Sequence, residues 1–449
     1  MINLVKNIIL LCLLVGLAVW FRKRWNVWFH NAPEAPYRPL MEPGRVLLTL
    51  ADDERSRFVT WQCDSVYRPS WLELAQLPDG DTLHIDAQGE VFASRSGRAA
   101  YYQVRLDSLA EAARYAYRVV TDGKASRWFS FEVHPSGDRP FAFLYIGDVQ
   151  DTLQGETNRF LRQAVSRHPD CEFTLCGGDL VERPTDSYCG EAFRNIDSIS
   201  QYMPFVTVTG NHDYFKGICQ RIERRFDLVF PYFETTSTDD NRVQTLTYAN
   251  AQIFLLDSER RPHKLWQQRK WLRKQLEQSQ TRWKILVLHH PLYSLKGSKN
   301  LVQRWLFDDL VRRYGVDLVL QGHEHAYARM TGHDDEGRAT TPVYIVSHCS
   351  PKNYRIQFDE RFDRFGISSR YYQTVETRDD VLILSAYDVY KHELYDSLRI
   401  VKTNAAEPAR IEDYGRDIPE YLEYVPRKGN SKDEKFAKRI NARKANPAA

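Results

Sequence analysis

Seven polar side chains recur in five short motifs, each placed where an apolar run stops. They are Asp148 and Gln150 in Gly147-Asp148-Val149-Gln150, Asp179 in Gly177-Gly178-Asp179, and Asn211 in Gly210-Asn211-His212-Asp213. His289 of His289-His290-Pro291, with His323 and His325 of Gly322-His323-Glu324-His325, completes the set. Carboxylate, carboxamide and imidazole ligands together suit a divalent transition metal (zinc, manganese or iron) rather than calcium. Seven ligands exceed one ordinary site. They suit two metals sharing a bridging carboxylate ~3.5–4 Å apart, the two-metal hydrolytic arrangement. The glycines let the backbone turn sharply beside the ligands. Singly, each motif is a common turn or capped strand end; the specificity lies in the ordered set.

The elements that must position these groups alternate. Apolar strand-like runs fall at 141–146, 171–176, 205–209, 252–256, 285–288 and 317–320. Between them Leu161, Ala164 and Val165, then Trp271, Leu272 and Leu276, then Val302, Trp305, Leu306 and Leu310 keep helical spacing. This predicts an α/β layered domain, in which ligands gather outside the carboxyl ends of strands. Residues 343–347, 371–376, 381–387 and 394–402 return to strand patterns. Upstream, residues 45–134 read as short strands, several of them separated by turn signals such as Asp79-Gly80 and Asp122-Gly123, which predicts a β-sandwich. The expected boundaries are 1–25 for a signal peptide or anchor and 26–43 for a Pro-rich linker. The sandwich is expected over 44–136, the catalytic domain over 140–402, and a basic, solvated tail over 403–449.

The motif series resembles that of the calcineurin-like metallophosphoesterase superfamily, and most of all its purple acid phosphatases: GDxG, GDxxY, GNH(D/E), VxxH and GHxH. The counterparts here are GDVQ, GDLVE, GNHD, LVLH and GHEH. Tyr115-Ala116-Tyr117-Arg118-Val119 and Phe129-Ser130-Phe131 likewise resemble that family's fibronectin-like N-terminal domain. The resemblance covers about residues 45–402. It implies an α/β (α+β layered) metallophosphoesterase sandwich preceded by an all-β sandwich, and a binuclear site that hydrolyses phosphate esters with a metal-bridging hydroxide. Carried over residue by residue, Asp179 bridges the metals, Asp148 and His325 hold the first, and Asn211, His289 and His323 hold the second. His212 contacts the phosphate, and Asp213 orients it and favours its protonated form. Two departures stand out. Glu182 occupies the tyrosine-ligand position, so no ferric purple colour is expected, and Gln150 stands where many relatives of the wider superfamily have a histidine. A Gln carbonyl oxygen can ligate a metal, and Glu182 is a further carboxylate candidate. His290 and His348 are additional candidates for touching metal or substrate; Lys352 and Tyr354 are further candidates for a phosphate.

An uninterrupted apolar run at 8–21, with Lys6 before it and Arg22, Lys23 and Arg24 after it, reads as an uncleaved single-span anchor or a cleaved signal. Basic residues after the run point the body to the cytoplasm; the resemblance implies export, and an extracytoplasmic, membrane-tethered enzyme is the expectation. The net charge of +3 divides into +4 over residues 1–25, +6 over 427–444 and −7 over the remainder. Clustered basic ends favour anionic lipid as a contact, and no nucleic-acid partner is expected. Cys171 and Cys176 read as reduced core thiols; Cys189 and Cys219 are open to pairing in an oxidising compartment. The competing functions are a phosphodiesterase acting on nucleotide or lipid headgroups and a non-catalytic surface binding protein.

Overall fold

The computed structural model describes residues 2–29, 34–216, 221–232, 242–297, 299–403 and 408–445. The helix Ile2–Phe29 comes first. Two antiparallel sheets then form the N-terminal sandwich. One orders Gly44–Leu50, Arg57–Gln62, Arg98–Leu106 and Gln88–Ala93; the other holds Thr82–Asp86, Ser70–Gln76, Ala113–Thr121, Lys124–Ala125 and Phe129–Val133. Ser70–Gln76 is a strand that turn signals did not mark. Its burial alternates along Ser70, Leu72 and Leu74, which face inward, against Trp71 and Glu73.

The second layered unit is built on two seven-stranded sheets. In the first, Phe141–Ile146, Cys171–Cys176 and Phe205–Thr207 run parallel, and Tyr371–Thr377 adds antiparallel beside Phe141–Ile146. In the second, Ala251–Leu256, Trp283–Leu288, Leu318–Gln321 and Ala339–Val346 run parallel. The period-two alternation of strands decides what each side chain covers. Phe143, Tyr145, Ile253, Leu255, Ile285 and Val287 share the core between the sheets. Their neighbours Leu144 and Ile146 turn outward onto the helices Thr157–Arg167 and Asp186–Ile196. Phe254, Leu256, Leu286 and Leu288 turn onto Pro262–Gln278 and Leu301–Arg313. Both faces of both sheets are therefore apolar, which is why these strands read as continuous hydrophobic runs.

The basic C-terminal stretch departs from the expectation of a solvated tail. Arg410–Asp413 joins the edge of the first sheet, and Ser431–Ala445 forms a helix. Phe436, Ile440 and Arg443 sit one turn apart and are buried, with Arg443 paired to Glu420 at 3.2 Å. Three apolar or paired positions on one helical stripe outweigh the charge run around them.

The sandwich docks through buried polar contacts. Thr60 Oγ1 donates to the Val229 carbonyl at 3.0 Å and Tyr117 Oη to that of Gln201 at 2.8 Å. Asp186 accepts from Ser94 and Arg225 at 2.9 Å each, so one carboxylate joins both domains.

Candidate metal centre

The five motifs converge at the carboxyl ends of five parallel strands. Ile146 hands over to Gly147, Cys176 to Gly177, Leu288 to His289 and Gln321 to Gly322, while Thr207 ends three residues before Gly210. Asp148, Gln150, Asp179, His323 and His325 all have φ between 24° and 73°. Non-glycine residues seldom enter this left-handed region, and such strain gathers at functional sites. It turns five ligand-type side chains back over the strand ends.

Four acceptor atoms surround one point. His289 Nε2 lies 3.2 Å from Asp179 Oδ2 and 3.2 Å from Asn211 Oδ1. His323 Nδ1 lies 2.8 Å from Asn211 Oδ1 and 3.3 Å from His289 Nε2. Asp179, His289 and His323 offer ligand atoms all within 4.8 Å of one another. His289 Nδ1 meets the Gly177 carbonyl at 2.9 Å, so it carries the proton and leaves the Nε2 lone pair toward the cluster.

A second group adjoins it. His325 Nε2 is 3.7 Å from Asp148 Oδ1, and His325 Nδ1 is fixed by the Lys352 carbonyl at 3.1 Å. Asp148 Oδ1 and Gln150 Oε1 are buried without a hydrogen-bond partner among the described residues. Gln150 Nε2 donates to Asp179 Oδ2 at 3.4 Å. A metal is the group that satisfies such orphaned acceptors, and the donor set fits a divalent transition ion.

The electrostatics agree. Burial opposes charge on His289, but the Asp179 and Asp148 carboxylates outweigh it and push its pKa up to about 10: the point between them calls for a cation. Burial drives Asp148 well above the carboxylate range. Burial likewise holds His325 down at about 3 and His323 well below its ordinary value, so both stay neutral, as ligation requires.

The remaining candidates are placed differently. His212 donates its backbone N–H to Asp179 Oδ1 at 2.8 Å, and its Nδ1 meets the Glu182 carbonyl at 2.6 Å. Its Nε2 is 4.0 Å from Asp179 Oδ2, facing the cluster. Orientation of His212 thus falls to the Glu182 backbone and not to Asp213, whose carboxylate accepts from Gly210 N at 2.8 Å. Burial, with Asp179 nearby, pushes the Asp213 carboxyl up to about 8. The Glu182 carboxylate, a further candidate for metal or substrate, is paired with the Lys352 ammonium. His290 sits between Ser258 Oγ at 3.0 Å and Glu259 at 3.1 Å, its ring 4.4 Å from that of His323. His348 is fully buried and stacks behind His325 at 5.7 Å, so it backs a ligand instead of lining the mouth.

Spacing gave no signal for Lys296. Its ammonium lies 3.9 Å over the ring of Tyr354, which itself stacks on His325 at 4.1 Å. Lys296 makes no ion pair among the described residues. Its charge reaches Asp148, His323 and His325. Cys171, Cys176 and Cys189 are free and buried, and Cys219 lies outside the described residues.

The calcineurin-like phosphoesterase family matches residues 141–327, and the purple acid phosphatase N-terminal domain matches residues 43–133. Purple acid phosphatase 21 of Arabidopsis thaliana is 26% identical over 333 residues, covering 69% of this chain and 71% of that protein. The Fe(3+)-Zn(2+) purple acid phosphatase 12 of the same plant is 27% identical over 247 residues, 50% of this chain and 51% of its own. Among solved structures, a purple acid phosphatase from yellow lupin (Lupinus luteus) seeds superposes with a TM-score of 0.63 at 16% identity, covering 80% of this chain and 74% of that one.

Proposed function

We infer that the chain, whose residues 141–327 match the calcineurin-like phosphoesterases and residues 43–133 the purple acid phosphatase N-terminal domain, is a binuclear metal-dependent phosphatase of that branch whose residues divide the work as follows. Asn211, His289 and His323 would hold one divalent metal and Asp148, Gln150 and His325 the other, with Asp179 beside both groups. When bound, the two ions supply Lewis acidity to the phosphoryl oxygens and a water of lowered pKa. His212, pinned through Nδ1 by the Glu182 carbonyl, keeps Nε2 for the substrate. As the imidazolium it donates to a phosphate oxygen and passes its proton to the leaving alkoxide, a role typically worth roughly 10²–10⁴-fold. Asp213 holds the Gly210 amide and so the turn that carries Asn211 and His212.

The observation that carries this reading is the convergence of Asp179, Asn211, His289 and His323 on one point. Metal analysis with parallel assays on p-nitrophenyl phosphate and bis-p-nitrophenyl phosphate tests it. Two metal equivalents and preferred turnover of the monoester are expected. Faster turnover of the diester replaces it with a phosphodiesterase; no metal and no turnover replace it with a binding protein.

We infer further that the apolar helix is retained as a membrane anchor with the body outside the cytoplasm. Val5–Lys23 has a mean hydropathy of 1.9, and none of it is buried in the protein. Full-length protein in the carbonate-washed membrane fraction, accessible to external protease, is the expected result; a shortened soluble product refutes it.

A further inference from the structure

Four large apolar side chains lie exposed on the N-terminal turns of two adjacent helices. Trp266 is 41% exposed on Pro262–Gln278; Leu301, Val302 and Trp305 are 57%, 41% and 72% exposed on Leu301–Arg313. The two indoles stack across the helix pair with centroids 6.0 Å apart. A contiguous exposed patch of this kind marks an interaction site, since soluble surfaces scatter such residues singly. Both helices begin at the carboxyl ends of their strands, so the patch borders the metal centre. Gln303 Nε2 donates to the Ser258 carbonyl at 3.0 Å, and Ser258 Oγ holds His290 at 3.0 Å, which links the patch to the site in two steps.

Three observations indicate what covers it. Arg261, Lys270 and Lys299 are exposed beside the patch. Indoles flanked by cations suit the headgroup layer of an anionic bilayer. The chain also brings a bilayer close. The body is fastened to the anchor segment at Glu34, paired to Arg95 at 2.8 Å, and at Tyr37, whose N–H donates to the Ser96 carbonyl at 2.9 Å. Four residues separate Phe29 from Glu34, a reach of at most ~18 Å. This fastening point is itself on the catalytic end of the fold. Ser94, in the same turn, donates to Asp186 at 2.9 Å, at the start of the helix that follows the Asp179 loop. Tether and patch thus both lie at the strand-carboxyl end, from different sheets.

We propose that Trp266, Leu301, Val302 and Trp305 form a docking surface for an anionic lipid bilayer, which seats the mouth of the metal centre at the headgroup layer. This rests on the reading of Val5–Lys23 as a retained anchor. The test uses the full chain reconstituted in nanodiscs of phosphatidylcholine and phosphatidylglycerol with brominated acyl chains. Tryptophan emission of the wild type is compared with that of Trp266→Phe/Trp305→Phe, which keeps the patch apolar. The difference emission is expected to lose most of its intensity to bromine and little to aqueous iodide. Difference emission that iodide quenches and bromine does not, while bromine quenches the part of the residual emission that Trp20 and Trp25 contribute, overturns the docking surface and leaves the anchor standing. Residual emission untouched by bromine overturns both, with the anchor as the part that failed.

Discussion

His289 Nε2 and His323 Nδ1 face each other at 3.3 Å, with Asn211 Oδ1 at 3.2 Å from the first and 2.8 Å from the second. A proton on one imidazole satisfies one of these contacts; a divalent cation at the centre satisfies all of them. Metal removal by a chelator is therefore expected to destabilise the protein, and zinc or manganese to restore it. An ion present at a hundredfold excess over its Kd contributes about 2.7 kcal/mol. Calorimetric melting with and without chelator measures this. His289→Ala is expected to lose one metal equivalent and roughly 10²–10³-fold in kcat, as removal of an electrostatic stabiliser does.

Gly210 is a second point of control. A Cβ there would lie 2.0 Å from Asp179 Oδ1 and 2.3 Å from its backbone nitrogen. Gly210→Ala must push the Asp179 carboxylate away. Metal content measured by plasma emission should fall while far-ultraviolet circular dichroism stays native.

Lys296 over Tyr354 places a cation without an ion-pair partner, among the described residues, at the mouth of an anionic site. Lys296→Met keeps most of the stem and removes the charge. An increase in KM for a monoester of about tenfold is expected, the worth of one charge-assisted hydrogen bond. Steady-state kinetics with metal content held equal checks it, and Lys296→Arg should recover part of the loss.

The Asp186 carboxylate accepts from Ser94, Ser96 and Arg225 and pairs with Arg45 at 3.6 Å where the two domains meet. Asp186→Ala leaves the buried Arg225 with Glu223, at 2.9 Å, as its remaining carboxylate, so the expected cost is below the roughly 3–5 kcal/mol of an uncompensated buried charge. Denaturant unfolding is expected to show this loss, with the two domains melting separately if Asp186 couples them.

His168 supplies a pH dependence away from the metal centre. Burial, helped by His392 and Arg167, lowers its pKa below the ordinary 6.5. The unfolded chain then binds its proton more readily than the folded one. Stability from this group is full above the unfolded value and declines as pH falls below it, by no more than about 1.4 kcal/mol per unit. His168→Asn is expected to flatten the acid limb of the melting-temperature profile between pH 6.5 and the lower folded value.

The parallel strands and the ligand types were legible in the sequence for one physical reason: both are local. A strand buried on both faces must be apolar throughout, so Trp283–Leu288 announces itself, and the polar residue that ends it is conspicuous. The Ser431–Ala445 helix was not legible, because its charge run hides the Phe436–Ile440 stripe that only a packing partner makes favourable. Ligand identity for Asp148, Asp179, Asn211, His289, His323 and His325 could be expected from residue type and order. The pairing of Glu182 with Lys352 could not, since the two lie far apart along the chain. The hold of the Glu182 carbonyl on His212, the Lys296–Tyr354–His325 stack and the Trp266–Trp305 pair join residues from separate loops or helices. Spacing along a chain carries no information about such meetings. They exist only once the two sheets have stacked and brought their strand ends to one edge.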